Sequence, residues 1–368
     1  MKILLVQDFL RSGGTERQTV RLARAFAAAG HETHLVTFRP GGPLRPSEPG
    51  ENLTLVSLQK RDSRLDWWAP GLRRYAKTVS PEVVLCMGRM ANSYGRALQV
   101  ALPSTAVIST MRTGKPLPLP FRRSLGATAH VIANSAAAGD HLIDAYNVPG
   151  EKITVIPNGL VFAPQGAQTD EETRSSIRAK FGAKPDDVIL VDVAMFRPEK
   201  NQLDLIDMVK TLDPDLPWRL WLAGEGPTVE KCRSHAAALG LADRVTLLGW
   251  HPDPRPIYRA ADIAVHASKR ESLSNFLIEA QAHGLPAVAR AARGVSETFV
   301  DGKTGFLIEP DDLAGFAAAV TRLLTEPALR SKMAAAAIRQ ATTNFSTDAQ
   351  VKAHLDLFEK LASLDRSA

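Results

Sequence analysis

Two successive series of short apolar runs, each run followed by a helix-like pattern, constrain this chain more than any other feature. In the first series Ile3–Val6, His34–Phe38, Leu53–Leu58, Val83–Cys86, Ala106–Ser109, His130–Ala133 and Ile153–Ile156 read as strands. Short apolar runs of this kind, bounded by turn residues, predict strands buried on both faces. After the first strand, the loop Arg11-Ser12-Gly13-Gly14-Thr15-Glu16 leads into a helix that runs to about Ala29. Val20, Leu22, Ala23, Phe26 and Ala27 share one side of it, and Gly30 is placed to end it. The second series comprises Val188–Ala194, a helix from about Asn201, Arg219–Ala223, a helix near Val229–Leu239, Val245–Leu248, Ile263–His266, a helix after Ser274, and Ala287–Ala289. Strand–helix alternation at this spacing implies βαβ units and parallel sheets.

The turn Pro157-Asn158-Gly159 closes the first series, and the polar stretch 163–175 reads as a linker. A chain of 368 residues is too long for one ordinary core. The expectation is therefore an α/β protein of two Rossmann-like domains facing across a cleft. The first domain is predicted over 1–165 and the second over 180–346. Thr347–Leu364 reads as one amphipathic helix carrying Val351, Leu355, Leu357, Phe358 and Leu361. That helix, with the rest of 347–368, is assigned to the first domain.

Composition excludes several function classes. Two cysteines, Cys86 and Cys232, far apart in sequence, make neither a disulfide framework nor a thiolate metal site. Neither H-E-x-x-H nor C-x-x-C occurs, and His31, His34, His130 and His141 follow no known ligand spacing, so no metal is expected. The apolar run at the N-terminus is too short for a signal peptide, and no segment approaches the roughly 18–20 apolar residues of a membrane span. The expected location is the cytoplasm, either free or peripheral at the inner face of the cytoplasmic membrane. Charge is uneven. Residues 1–160 hold 20 Lys and Arg against 11 Asp and Glu, a net of +9, whereas the remainder carries −3. The basic half either faces an anionic partner, such as a lipid leaflet or a phosphorylated acceptor, or is a solvated arginine-rich surface. Nucleic acid is not expected, since there are only four tyrosines and no DNA-binding motif. Trp67 and Trp68, near Arg61, Arg64, Arg73 and Arg74, read either as a membrane-interface patch or, as is more common, as helix core beside a solvated face.

The residues that carry chemistry lie at strand ends. In Ala261-Asp262-Ile263-Ala264-Val265-His266-Ala267-Ser268-Lys269-Arg270-Glu271-Ser272-Leu273-Ser274-Asn275-Phe276-Leu277-Ile278-Glu279-Ala280 a buried-strand pattern passes through a polar loop into a helix. Glu271 and Glu279 stand eight positions apart, which on a continuous helix is roughly 12 Å. That is too far to share a proton or a metal, but it suits two hydroxyl-bearing ends of one extended ligand. Ser274 or Asn275 can cap the helix, which ends at Gly284 before Pro286. In Val193-Ala194-Met195-Phe196-Arg197-Pro198-Glu199-Lys200-Asn201 a strand ends in a basic loop that opens a helix, where Arg197 and Lys200 can neutralise a diphosphate. The Gly13-Gly14 loop, between strand and helix, either cradles phosphate with its backbone N–H groups or is a plain tight turn.

This E-x7-E arrangement resembles the donor site of the retaining glycosyltransferases of family 4 (group 1), which have the GT-B fold. The resemblance is strong over about 185–345. There it includes Ala223-Gly224-Glu225-Gly226-Pro227, Val245-Thr246-Leu247-Leu248-Gly249-Trp250, Gly294-Val295-Ser296-Glu297 and Asp301-Gly302-Lys303-Thr304-Gly305-Phe306. It is thinner over 1–160, through Gly-Gly-x-Glu, Asn134-Ser135 and Ile156-Pro157-Asn158-Gly159, and the last helix resembles the family's crossover helix. The resemblance implies transfer of a hexose-type sugar, with retention and without a metal or cofactor, from a nucleotide diphosphate sugar, UDP- or GDP-linked. The acceptor implied is a glycan or lipid-linked molecule of cell-envelope polysaccharide or lipopolysaccharide synthesis. It also implies roles for residues. Arg197, Lys200 and Glu271 are implied as catalytic. Gly13 and Gly14 face the donor diphosphate, and Gly249 and Trp250 lie beside the nucleobase. Ser274, Asn275, Phe276 and Leu277 bind the donor, and Glu279 its ribose. The leaving phosphate itself assists deprotonation of the acceptor hydroxyl.

Three positions depart from the family pattern. Met195 stands where an arginine is usual, Ser272 follows the first glutamate in place of glycine, and the segment Ser109-Thr110-Met111-Arg112-Thr113-Gly114 has Arg112 where a histidine is common. Arg112 is the candidate for an acceptor phosphate or an acidic sugar, with a structural ion pair as its other reading. The alternatives in function are a catalytically silent nucleotide-sugar binder and a nucleotide-sugar 2-epimerase.

Overall fold

The computed structural model describes residues 1–48, 50–162 and 171–365. The chain separates into two compact units, one formed by Met1–Val161 together with the segment from Thr347 onward, the other running from Phe162 to Ser346. Most of the expected linker, 163–170, lies outside the described residues.

The first unit is built on seven strands: β1 (Lys2–Gln7), β2 (Glu32–Thr37), β3 (Leu53–Ser57), β4 (Val83–Cys86), β5 (Ala106–Met111), β6 (His130–Ala133) and β7 (Ile153–Val155). They pair in the order β3-β2-β1-β4-β5-β6-β7, every pairing parallel. The second unit has six: β8 (Val188–Val193), β9 (Trp218–Ala223), β10 (Val245–Gly249), β11 (Ile263–His266), β12 (Ala287–Arg290) and β13 (Gly305–Ile308). Their order, β10-β9-β8-β11-β12-β13, repeats that of the first sheet, again all parallel. Both sheets therefore reverse direction of growth beside their first strand, which is the doubly wound arrangement.

The strands are the apolar runs of the sequence, with ends shifted by a residue or two. The inner strands are buried on both faces because helices cover both, while the edge strands β3, β7, β10 and β13 are only partly buried. In the first unit Ile3, Leu5, Val83, Leu85 and Ile108 point to one core, while Leu4, Val6, Val84, Cys86 and Val107 point to the other. In the second, Leu190, Leu220, Leu222, Ile263 and Val265 oppose Ile189, Val191, Trp221 and Ala264 in the same way. Strand β13 was not among the expected strands. It is only four residues long and begins with a glycine, Gly305, on which a Cβ would lie 2.1 Å from the Ala287 carbonyl oxygen.

The final helix, Thr347–Asp365, joins the core of the first unit. Phe358 is fully buried and meets Phe26 edge-on at 5.5 Å between ring centres. Leu357 is buried beside it, and Val351, Leu355 and Leu361 are partly buried against the same core. The helix start is sewn down by Thr347, whose hydroxyl donates to the Leu160 carbonyl at 2.8 Å. Gln18 of the first helix (Gly14–Ala28) donates to the Gly159 carbonyl at 2.7 Å, closing the same corner. No helix among the described residues is long and apolar enough to cross a membrane.

Because Phe358 is a full core residue, Phe358→Ala should cost about 3–5 kcal/mol, the usual range for a buried aromatic. Chemical denaturation checks this; an unchanged midpoint would mean that the helix merely rests on the first unit.

Candidate functional site

In a doubly wound sheet, the strands on either side of the reversal send their following loops in opposite directions, and a crevice opens at their C-terminal ends. In the second unit those strands are β8 and β11. The loop after β8 carries Arg197 and Lys200, and the loop after β11 carries Glu271. Chain reversal thus brings together residues 71 positions apart: the Lys200 ammonium hydrogen-bonds the Glu271 carboxylate.

Main-chain bonds hold these loops in place. Lys269 N–H donates to the Glu199 carbonyl at 2.9 Å, and the Ser268 hydroxyl donates to the same oxygen at 3.1 Å. On the other flank, Phe196 N–H donates to Glu225 at 2.8 Å, and Gly224 N–H donates to Gly249 at 2.8 Å. Gly224 and Gly226 have φ of +144° and +149°. A Cβ on them would stand 2.0 Å from the Ala194 carbonyl oxygen and 2.2 Å from that of Phe196. Only glycine permits that approach. Gly294 (φ +73°) plays the same part for the other loop, since a Cβ there would lie 1.9 Å from the Ser272 carbonyl oxygen.

Glu271 is 8% exposed and its charge is supported from two sides. His266, at the end of β11, lies fully inside, with Nε2 2.9 Å from Glu271 and Nδ1 2.8 Å from Asp192 on β8. Burial works to raise the Glu271 pKa, but the Lys200 charge and the His266 hydrogen bond outweigh it and hold the carboxyl down at about 2. For His266, burial works to lower the pKa, and the bonds to Asp192 and Glu271 overcome it, so the ring is held above its ordinary value. An imidazolium donating from both nitrogens fits two carboxylate acceptors. The buried row is therefore Asp192, His266, Glu271 and Lys200. Sequence reasoning missed its first two members. His266 sits in an apolar run and reads as part of the strand, and Asp192 is 74 positions away from it.

The helix after Glu271 is Asn275–Ala282, and the Ser274 hydroxyl accepts from Leu277 N–H at its start, as a capping residue does. Phe276 and Leu277 are buried in the core, with Phe276 against the His266 ring at 5.5 Å. The Leu277 N–H is taken by Ser274, so what the start of the helix can offer a ligand is the main-chain N–H of Phe276 and the half-buried Asn275, at the positive end of the helix. Glu279, the fifth residue of that helix, is buried and accepts from the Tyr258 hydroxyl at 3.0 Å. Tyr258 was not anticipated either. Gly249 is exposed at φ +74°, and the Trp250 indole N–H next to it is buried with no hydrogen-bond partner among the described residues. Arg197 is half-buried at the start of a short turn of 3₁₀ helix, Pro198–Lys200. Met195 contributes its carbonyl, which accepts from Gln202 at 3.2 Å.

Within the first unit, Gly13 precedes the helix Gly14–Ala28 with a negative φ of −77°, so no left-handed turn demands glycine there. Arg112 follows directly after β5. Its Nη1 donates to the Asn158 side-chain oxygen at 2.5 Å, so its hydrogen-bond partner is an amide rather than a carboxylate. Its Nε and Nη2 are buried with no hydrogen-bond partner among the described residues. Burial, with neighbouring Arg21, pulls its pKa down to about 10. This guanidinium retains donors for an anion.

Comparison with known proteins is consistent along the whole chain. The family model described as Glycosyl transferases group 1 matches residues 173–340, and that described as Glycosyltransferase Family 4 matches 12–162. The lipopolysaccharide core biosynthesis glycosyltransferase LpsE of Rhizobium meliloti (strain 1021) is 31% identical over 354 residues, which are 95% of this chain and 96% of that protein. LpsD of the same strain, also described as a lipopolysaccharide core biosynthesis glycosyltransferase, is 33% identical over 183 residues, 50% of this chain and 52% of LpsD. Among solved structures, Anabaena Alr3699/HepE in complex with UDP-glucose superposes with a TM-score of 0.80 at 20% identity, covering 100% of both chains. The fold is thereby GT-B.

The buried row has a signature in acid. Glu271 has its pKa lowered from an ordinary 4.5 to about 2. Its stabilising contribution is complete above pH 4.5 and disappears as pH falls towards 2. Glu271→Gln should therefore melt below wild type at neutral pH, and the two thermal midpoints should converge as pH is lowered through that interval. A gap that stays constant would show that Glu271 is not held ionised by its neighbours.

Proposed function

The chain belongs to the glycosyltransferases of group 1, and on that footing we propose that it transfers a hexose, with retention, from a UDP-linked donor to a lipopolysaccharide-core or other lipid-linked acceptor. The observation that carries this is the Lys200–Glu271–His266 row beside the N-terminus of the helix Asn275–Ala282. The UDP assignment is supported by HepE, whose structure holds UDP-glucose, and the acceptor class by LpsE and LpsD.

In this reading the diphosphate lies against Arg197, Lys200 and the first amides of that helix. As the anomeric C–O bond breaks, charge gathers on the departing phosphate oxygen, and fixed cations with N–H dipoles stabilise it where it forms. Those cations let the site work without a metal. The acceptor oxygen bonds to the anomeric carbon on the face the phosphate leaves, and its proton passes to that phosphate. Glu271 accepts from hydroxyls of the sugar, with His266 fixing its carboxylate and Lys200 shared between carboxylate and phosphate. Glu279 accepts from the ribose diol, and Trp250 and Gly249 line the base. In the first unit, the Gly13–Gly14 turn and Arg112 are assigned to phosphate or acidic-sugar recognition.

Lys200→Ala should lower kcat by about 10²–10³-fold, the usual cost of one charge-stabilising donor. The variant should still fold, at lower stability because Glu271 loses one of the two groups that answer its charge. A variant with near-normal kcat would remove Lys200 from the chemistry. Calorimetric titration with UDP, GDP, ADP and their hexose conjugates tests the donor. Tight binding of a UDP-hexose, weakened by about tenfold or more in Glu279→Ala, is expected, as for a lost charged hydrogen bond. Tight binding of another nucleotide, or equal binding by the variant, would overturn the donor or the ribose assignment respectively.

A further inference from the structure

Arg112, just past the end of β5, is tied at one corner of its guanidinium. Nη1 is taken by Asn158, while Nε and Nη2, the two N–H groups along the opposite edge, are buried with no hydrogen-bond partner among the described residues. That edge is the one by which arginine grips an oxyanion through two parallel bonds. The first unit shows the grip in use elsewhere: Arg39 donates from Nε and Nη2 to the two oxygens of Asp62, at 2.7 and 2.9 Å. Arg112 presents the same fork, and no carboxylate among the described residues fills it.

The surroundings add donors rather than an acceptor. Arg21 of the first helix donates through Nη2 to the side-chain oxygen of Gln18 at 3.0 Å and to that of Gln350 on the last helix. With its oxygen so engaged, Gln350, 4% exposed, keeps an amide Nε2 that is buried and has no hydrogen-bond partner among the described residues. One turn on, the fully buried His354 donates from Nδ1 to the Gln350 carbonyl at 2.8 Å. Burial, followed by the charges of Arg112 and Arg21, holds its ring down at about 3. His354 therefore senses both guanidinium groups at one place inside the unit. The turn Pro157-Asn158-Gly159 closes the seam, since a Cβ on Gly159 would stand 2.8 Å from Arg21 Nη2 and 2.9 Å from Gln350 Oε1.

A buried donor without an acceptor costs stability, and a desolvated cation beside a like charge costs more. One oxyanion answers these costs together. Its charge offsets both arginines, and its oxygens can accept from Arg112 Nε and Nη2 and from Gln350 Nε2.

We propose that Arg112 and Gln350, backed by the charge of Arg21, form a binding site for an oxyanion group of the phosphate or carboxylate kind, which links the end of β5 to the last helix. The proposal deepens the assignment of Arg112 made above and rests on it for the origin of the group, an acidic or phosphorylated sugar of the acceptor. Binding of the anion itself needs no sugar transfer.

Thermal unfolding of the full chain in rising inorganic phosphate, at fixed ionic strength and without donor or acceptor, tests the site. The wild-type midpoint should climb by about 3–6 °C for each tenfold of phosphate beyond its Kd. Arg112→Gln should lose this climb, apart from the general stabilisation by phosphate that every variant shares. Gln350→Glu supplies the oxyanion from the chain itself, so it should melt above wild type without phosphate and respond no further. Lys200→Ala, which lacks the cation assigned to the donor diphosphate, should keep the full response. A climb retained by Arg112→Gln would overturn the proposal. So would a climb abolished in Lys200→Ala, which would assign the anion to the donor site. A hexose phosphate and a hexuronate, compared with inorganic phosphate, identify the source. A larger shift with either sugar, lost in Arg112→Gln, is expected. Equal shifts would uphold the oxyanion site and overturn its assignment to the acceptor. Absence of sugar transfer in a chain that still responds to phosphate would overturn the transferase reading alone.

Discussion

A buried carboxylate survives only if something answers its charge, and in the second unit that requirement orders everything around Glu271. Taking a carboxylate out of water is expensive unless cations and hydrogen bonds replace the lost solvation. His266 and Lys200 do so, and Asp192, bonded to the other ring nitrogen of His266, in turn favours its charged form. Each member comes from a different strand end or loop, so the row closes only when β8 and β11 lie side by side. The strand order, the glycines at 224, 226 and 294, and the shared Glu199 carbonyl all serve that closeness. Preorganisation of this kind lets charged groups act on a reacting bond without first rearranging.

Much of the fold was legible because its signals are local. Strands β4, β6 and β11 fall where four-residue apolar runs stand between turn residues, and the cap at Ser274 follows from a hydroxyl placed before a helical pattern. What was illegible depends on contacts distant in sequence. Nothing near His266 points to Asp192, and nothing near Glu279 points to Tyr258, 21 positions earlier. The resemblance that placed Phe276 and Leu277 at the donor could not say that their side chains are core and that the Leu277 N–H is taken up by the Ser274 cap.

Trp67 and Trp68 show a different limit. Hydrophobicity alone favours burial for two neighbouring indoles. The inward position of their loop is held instead by Gln59, a polar residue that would ordinarily be assigned to the surface and that bonds the Leu65 and Trp68 carbonyls. The loop is further tied by Arg39, 10% exposed at its side chain, which bonds the partly exposed carboxylates of Asp62 and Asp66. Arg112 is the complementary case. It is a cation whose hydrogen bond goes to the amide of Asn158, and among the described residues no carboxylate bond answers its desolvation.

The seating of the helix Thr347–Asp365 against Phe26 bears on how the molecule is made. In order of synthesis the second unit is an insertion within the first. Its sheet and both its cores are complete in the chain before that helix has emerged. The first unit, although begun earlier, must wait with the surface around Phe26 uncovered until more than half of the chain has followed. Domains usually fold as units in the order they are made. Here the order is inverted, and the later unit is the first that can finish.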